Sequence, residues 1–589
     1  MKKIGISLAV ILGSGLVMAQ GRNGRGGGQR PAAEPAAVAE EGFPVTDPLV
    51  IQKCGTCHTK DEKGNLSRIS WTRTTPEGWE EAIKRMVRLN GLVITSEEAK
   101  PILKYLATNH GLAPEEAKPV MYMPEHRLQD EDVPNEAVRS TCMNCHALGR
   151  PFSWHRTKEE WTLLTTLHSA LYQQAESAFR GGNRNGAGGG GTAAAGSAPA
   201  VPAVPVLDQT LDYLAKNYGL HTPEWAAWRT RMRAPKMTGR WMVSAHILGK
   251  GKYYGEMTVS PGAADDEFTT TVKLQPVGGG PAISRTGTSI VYAGYSWRGR
   301  SKGSALAANA APDDLSSEMR EAMWISPDQS YGQGRWFWGE YQEFGVDVKI
   351  QRATSEPLLL TTDKYSLKTG AKAQRVRLIG TSFPLAVTAD DLDFGAGVKV
   401  TAIVSHTASQ IVATVDVATN AVPGKRDVAV GRSSLQDAIA VYDKVDYIKV
   451  LPETALARLG GDAKSVHPKG YQQLEAIAFS KGEDGKIHTG DDIELGPVDV
   501  NWSVEEFMSV FGDDDKEFVG SLSSTGLFSP NIDGPNPQRK FSRNNYGDVW
   551  VVATAKDEKD KDGKALVGKS YLVVSVPTYI KWDQPEVTK

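Results

Sequence analysis

Between residues 43 and 235 apolar positions recur at helical spacing, and from about Pro235 onward they give way to short alternating segments bounded by Gly, Pro, Asn and Asp. This change of period predicts a multidomain α plus all-β protein, helical first and antiparallel β afterwards. The helical part repeats itself. Trp71-Thr-Arg-Thr, Trp79 and Met86 in one unit answer Trp154-His-Arg-Thr, Trp161 and His168 in the next. Trp79 to Met86 and Trp161 to His168 are both seven residues, which puts each pair on one helix face. Ile83 and Val87 extend the first apolar stripe. Thr165 and Ser169 hold those places in the second, which leans on Leu164 and Leu167 instead. Each unit closes on the same pattern, Tyr105-Leu-Ala-Thr-Asn-His-Gly-Leu against Tyr213-Leu-Ala-Lys-Asn-Tyr-Gly-Leu, with Gly111 and Gly219 as helix stops. Two copies of one small helical fold are expected, over 43–120 and 130–235.

Three β units follow. A barrel or sandwich is predicted over 236–370, with strands at Arg240–His246, Thr269–Leu274 and Thr288–Tyr295 and a crowd of aromatics (Tyr295, Trp297, Trp336, Trp338, Tyr341) for its core. An immunoglobulin-like sandwich is predicted over 371–452, with strands at Arg375–Gly380, Val398–Val404, Gln410–Val417 and Arg426–Val430. A C-terminal β-sandwich is predicted over 453–589, with turn signals at Glu483-Asp-Gly-Lys and Asp560-Lys-Asp-Gly-Lys. The acidic stretch around Asp484, Asp491 and Asp492 lacks a full calcium-loop pattern and reads as a solvated turn.

With 589 residues the chain is too long for one core. A formal charge of -2 gives no basic footprint for nucleic acid. Lys2 and Lys3 precede an apolar run from Ile4 to Val17, and small residues lead to a cut after Ala19, the pattern of a signal peptide over 1–19. The run is short for a membrane span of roughly twenty residues, and an exported, periplasmic protein is expected. Residues 20–42 read as a disordered lead-in. The Gly/Ala/Pro-rich stretch 181–206 reads as a flexible insertion, since it lacks the Lys-Ser/Thr ending of a phosphate loop.

The four cysteines change the picture most. They fall as Cys54-Gly-Thr-Cys57-His58 and Cys142-Met-Asn-Cys145-His146, two copies of the haem c attachment signal. Two thiols on one turn each form a thioether to a haem vinyl group, and the next residue ligates iron through its imidazole. A redox dithiol or a four-cysteine zinc site would make both histidines coincidental. The repeat puts Met86 and His168 in one structural position, which predicts His58/Met86 for the first iron and His146/His168 for the second. Met121 and Met123 are the rivals of Met86, and His155 is the rival of His168. A thioether raises an iron potential and a second imidazole lowers it, so the two haems are expected to differ. In the β units no nucleophile–base constellation or metal-ligand cluster is evident.

Tandem haem units followed by three β domains resemble the α subunit of quinohaemoprotein amine dehydrogenase over roughly 45–585. Gly239-Arg240-Trp241-Met242, Tyr295-Ser-Trp297-Arg-Gly-Arg and Leu378-Ile-Gly-Thr-Ser-Phe383 add to the likeness. The resemblance implies a heterotrimer with a β-propeller subunit and a small subunit bearing a tryptophan-derived quinone, which oxidises a primary amine to an aldehyde and ammonia. It implies that this chain has no catalytic residue of its own and passes electrons through two haems to a soluble blue copper protein or cytochrome c. The lead-in and the Gly-rich insertion depart from the family pattern. A stand-alone dihaem carrier with binding domains, and a dihaem peroxidase with a displaceable sixth ligand, are the alternatives.

Overall fold

The computed structural model describes residues 40–120, 135–143, 145, 147–180, 204–304, 310–461, 467–507 and 513–577. The leader, most of the lead-in, Met121, Met123, His146 and nearly all of the insertion lie outside these residues. Gly42 onward forms one compact unit.

Helix α1 (Pro48–Cys54) carries the first cysteine at its C-terminus. Helix α2 (Pro76–Asn90) begins where Thr75 caps Gly78 N–H and Pro76 sets the first turn. It ends at Gly91, whose φ of 71° is left-handed and suits a residue without Cβ. A reciprocal Thr95–Glu98 capping box opens α3 (Ser96–Asn109). In the second half Thr157 caps α4 (Lys158–Leu171), followed by α5 (Val206–Asn217) and α6 (Pro223–Arg231). Two short strands, β1 (Thr72–Thr74) and β2 (Trp154–Arg156), join the halves.

The first β unit is a closed eight-stranded antiparallel barrel. Its strands are β3 (Gly239–Ile247), β4 (Gly251–Pro261), β5 (Glu267–Pro276), β6 (Ile283–Tyr292), β7 (Ser296–Gly303), β8 (Met319–Ile325), β9 (Tyr331–Trp338) and β10 (Gly345–Arg352), with β10 returning to β3. The predicted strand Thr288–Tyr295 ends at Tyr292, because the chain turns through Ala293 at φ 50° and Gly294 at φ 78°. β5 alternates buried and exposed side chains along its length, as a half-buried strand must. Trp241, Met257, Val272, Trp297, Met323, Trp336 and Ile350 fill the interior, as expected of a barrel of about eight strands, whose bore holds only side chains.

Beyond the barrel, two four-stranded sheets face each other. One orders Leu358–Thr362, Gln374–Thr381, Gln410–Val417 and Val398–His406; the other orders Ser366–Lys368, Ser433–Tyr442, Gly424–Val430 and Leu392–Asp393. Val376, Leu378, Ile411, Val415 and Val428 lie between them. The C-terminal part builds three further sheets, the largest around Gly547–Lys559 and Ala565–Ser575, joined across Asp560 to Lys564. The Glu483 signal sits in a longer loop, where Asp484 and Asp491 accept backbone N–H groups.

The barrel is the hub. Glu77, in the first turn of α2, pairs with Arg298 of β7, and neither side chain has any exposed surface. Tyr295 Oη donates to Leu112 O at 2.9 Å and Trp324 Nε1 to Pro114 O at 2.8 Å. On the opposite flank Arg458 makes a buried bidentate pair with Glu343 at 2.9 and 3.2 Å and lies over Tyr341. Tyr295 and Tyr341, expected inside the barrel, therefore serve its interfaces. Removing one member of a buried ion pair strands the other charge, which costs about 3–5 kcal/mol. Glu77→Gln is expected to lose a stability of that order in chemical denaturation, and the double variant Glu77→Gln/Arg298→Met is expected to recover much of it.

Candidate haem-binding site

The first attachment motif leaves the end of α1 as a tight turn, with Cys57 N and His58 N both donating to Cys54 O at 3.1 and 2.9 Å. In this turn Cys54 and His58 are half-buried and Cys57 is exposed. His58 Nδ1 lies 2.7 Å from Ser67 O. A carbonyl only accepts, so the proton is on Nδ1 and Nε2 keeps its lone pair for a metal. Met86 sits half-buried on α2, seven residues beyond the buried Trp79, and Asn90 Nδ2 donates to its sulfur at 3.6 Å. Around it Val87, Leu89 and Val93 expose 42, 66 and 84 % of their surface.

The second motif begins in a π-helical turn, Arg139–Met143, with Cys145 N donating to Cys142 O at 3.3 Å. His168 on α4 is half-buried, and its Nδ1 donates to Leu164 O at 2.9 Å, again leaving Nε2 as the free lone pair. Leu164 packs inward with Trp161 and Leu211. Leu167, expected in the same stripe, instead faces outward near Leu163, Leu171 and Tyr172. In both halves an imidazole already oriented by a backbone carbonyl, or a thioether, stands beside uncovered apolar side chains. These donors and surfaces fit a flat, apolar, iron-bearing ring with two thioether tethers.

The halves are related by an approximate twofold axis. β1 and β2 pair antiparallel with Arg73 opposite His155, Thr72 opposite Arg156 and Thr74 opposite Trp154. Trp79 Nε1 donates to His110 O and Trp161 Nε1 to Tyr218 O, while Thr74 N and Arg156 N donate to the same two carbonyls. The correspondence is thus Arg73 with His155, one residue away from the motif alignment, because Thr75 rather than Thr74 is the counterpart of the capping Thr157. Gly111 and Gly219 end their helices as expected, for a different reason than left-handed backbone. A Cβ would lie 2.0 Å from Ala107 O or 2.7 Å from Ala215 O.

On the axis sits Arg73, with no exposed surface. It donates to Leu220 O at 2.7 Å, to Gly111 O at 3.1 Å and to both oxygens of Glu116 at 2.8 and 3.0 Å. His155 Nδ1 faces Gly219 O at 3.1 Å and Glu116 at 3.4 Å, so this rival ligand is held at the axis. Arg73 entered the sequence reading only as a member of the repeat and Glu116 not at all. An arginine in a short strand was the one signal available.

The helical halves with their attachment motifs, carried on a largely β scaffold, are those of a haem-binding class of protein, and four family descriptions match the chain. "Quinohemoprotein amine dehydrogenase A, alpha subunit, haem binding" matches residues 45–192, and the alpha subunit domains II, III and IV match 234–353, 357–443 and 448–587. The chain belongs to the quinohemoprotein amine dehydrogenase alpha subunit family, and that membership implies an oxidoreductase complex of several subunits. No curated protein matches it. Among solved structures, human protocadherin-24 EC1-2 aligns at 13% identity over 39% of this chain and 98% of that one, with a TM-score of 0.16. Mouse cadherin-23 EC22-24 aligns at 10% identity over 45% and 80%, with a TM-score of 0.15. EF1p2_mFAP2b bound to DFHBI aligns at 11% identity over 20% and 94%, with a TM-score of 0.16.

Burial, with Arg229 and Arg73 nearby, pulls His110 down to about 3. Burial likewise pulls His155 down to about 4, Glu116 opposing and Arg73 reinforcing the shift. Burial works against ionisation of Glu116, yet the hydrogen bonds from Arg73 outweigh it and hold the carboxyl at about 2. The folded chain keeps both imidazoles neutral and Glu116 ionised where the unfolded chain binds protons. Their stabilisation is complete above the ordinary histidine value of 6.5 and is lost as pH falls. The urea midpoint is expected to decline between pH 6.5 and 3, and His110→Phe is expected to make that decline shallower.

Proposed function

We propose that this chain is the electron-transfer subunit of a periplasmic quinohaemoprotein amine dehydrogenase, carrying two haems c between a partner's quinone and a soluble acceptor. The observation that carries the reading is the paired arrangement of the two halves, in which a Cys-x-x-Cys-His motif recurs with a candidate donor, Met86 or the oriented imidazole of His168, on a neighbouring helix. Haem c, when bound, supplies a one-electron couple. Cys54, Cys57, Cys142 and Cys145 would tether it, His58 and Met86 would hold the first iron, and His146 and His168 would hold the second. Ser67 O and Leu164 O fix the imidazole tautomers of His58 and His168, which makes both better donors. The Asn90 amide steadies the thioether of Met86.

The partners of this reading are a β-propeller subunit and a small subunit with a tryptophan-derived quinone, where a primary amine becomes aldehyde and ammonia. The acceptor is a blue copper protein or cytochrome c. No helix among the described residues is long and apolar enough to cross a membrane, which accords with export behind a leader at 1–19. The domain bounds that accompany the reading are 43–235, 236–370, 371–452 and 453–589.

Unequal distal ligands predict unequal potentials. Met86→His is expected to lower the higher midpoint by on the order of 100 mV, a fraction of the ~0.8 V range that axial ligands command. Cys145→Ala with Cys142→Ala is expected to leave one haem per chain by pyridine haemochrome assay. Two midpoints that Met86→His does not move would contradict the ligand assignment.

A further inference from the structure

Between the two halves three arginines, Arg68, Arg85 and Arg156, lie close enough to act on one another. Arg156 of β2 is buried, stacked at 4.3 Å over Trp154 and 5.6 Å from the ring of Trp161. Its Nε finds no hydrogen-bond partner among the described residues, and the guanidinium's one hydrogen bond among them is a long 3.5 Å contact to Thr72 Oγ1. Arg68 pairs with Glu160 at 2.8 Å. Arg85, next to Met86 on α2, is close enough to Glu81, to Tyr172 at the end of α4 and to Arg68 for each to act on it. Arg68 and Arg85 both act on Arg156, against Glu160 alone. Burial first, then Arg85 and Arg68, draw Arg156 down to about 9, with Glu160 opposing, so it remains charged at neutral pH.

A buried guanidinium with an unused N–H is strongly disfavoured unless an anion meets it. Tyr172 and Met86 place this cluster against both ligand-bearing helices. Resting on the reading that haem c is bound at both motifs, we propose that Arg156, supported by Arg68 and Arg85, is a carboxylate-binding site for haem propionates at the boundary between the two centres. Each haem c brings two propionates, flexible carboxylates on the ring edge. An acidic peptide from outside cannot reach a side chain as buried as Arg156. The site positions the ring and, because a nearby cation favours the reduced iron, raises its potential in a low-dielectric interior.

The test uses the assembled holoprotein as wild type, Arg156→Gln, Arg156→Lys and Arg68→Gln. Haem per chain is read by pyridine haemochrome, and midpoints are read by spectroelectrochemical titration. At the ambient potential where the wild-type haem is half reduced, Arg156→Gln is expected to raise the oxidised-to-reduced ratio about tenfold, equivalent to about 59 mV for one electron. Arg156→Lys, which keeps the charge, is expected to stay within about threefold of wild type. Arg68→Gln removes a more exposed charge and is expected to shift the ratio about threefold in the same direction, and it carries the test if Arg156→Gln does not assemble. Ratios within about twofold of wild type for both haems, in Arg156→Gln or in that substitute, overturn the proposal and leave the electron-transfer reading standing. Wild-type protein without covalent haem overturns the underlying reading itself.

Discussion

A guanidinium with no exposed surface must have its donors answered inside the protein, and Arg73 draws the answers from both helical halves. Leu220 O comes from the second half, Gly111 O and Glu116 from the first. Thr222, at the start of α6, adds a hydrogen bond to Glu116 at 2.5 Å. The axis of the repeat is therefore an ionic centre, and each half is incomplete without the other. Helices α2 and α4, which carry Met86 and His168, each follow the strands that flank this centre after a single capping residue, so their relative placement follows from it. An axis over-determined in this way fixes the separation of the two halves.

The same device recurs at larger scale. Arg298 with Glu77 ties the barrel to the first turn of α2, and Arg458 with Glu343 ties it to the C-terminal sheets. Buried pairs of this kind add little net stability over apolar contacts, but they tolerate one geometry. Glu77 also lies at the positive end of the α2 macrodipole, which favours its charge. The barrel interior is packed with tryptophan and methionine, so its part in this account is to hold surfaces in place. That suits a chain whose haem-binding match lies near its N-terminus, over residues 45–192.

Much of this arrangement was legible in the chain because it rests on local pattern. The seven-residue spacing from Trp79 to Met86 and from Trp161 to His168 does place each pair along one helix, with both tryptophans buried. The alternation of β5 and the Gln410–Val417 strand were equally readable. What pattern does not encode is which distant groups meet. Nothing in Tyr295-Ser-Trp297-Arg distinguishes the residue that fills the barrel, Trp297, from those that face the helices, Tyr295 and Arg298. The motif alignment is offset by one because Trp71 lies just before its strand whereas Trp154 is the first residue of its own, so the capping threonines are Thr75 and Thr157. Leu167 was misplaced because a helix turn with leucines at 163, 164 and 167 offers two apolar faces, and only tertiary contact with Leu211 chooses between them.

The central claim is that electrons from a primary amine reach this chain through its partner. It is tested most directly by adding a simple primary amine, without oxygen, to the native complex and following the haem α-band. The account predicts stoichiometric reduction of both haems, with a small quinone-bearing chain co-purifying. Haems that stay oxidised with amine yet reduce with a chemical donor, in a chain that elutes alone, would contradict it.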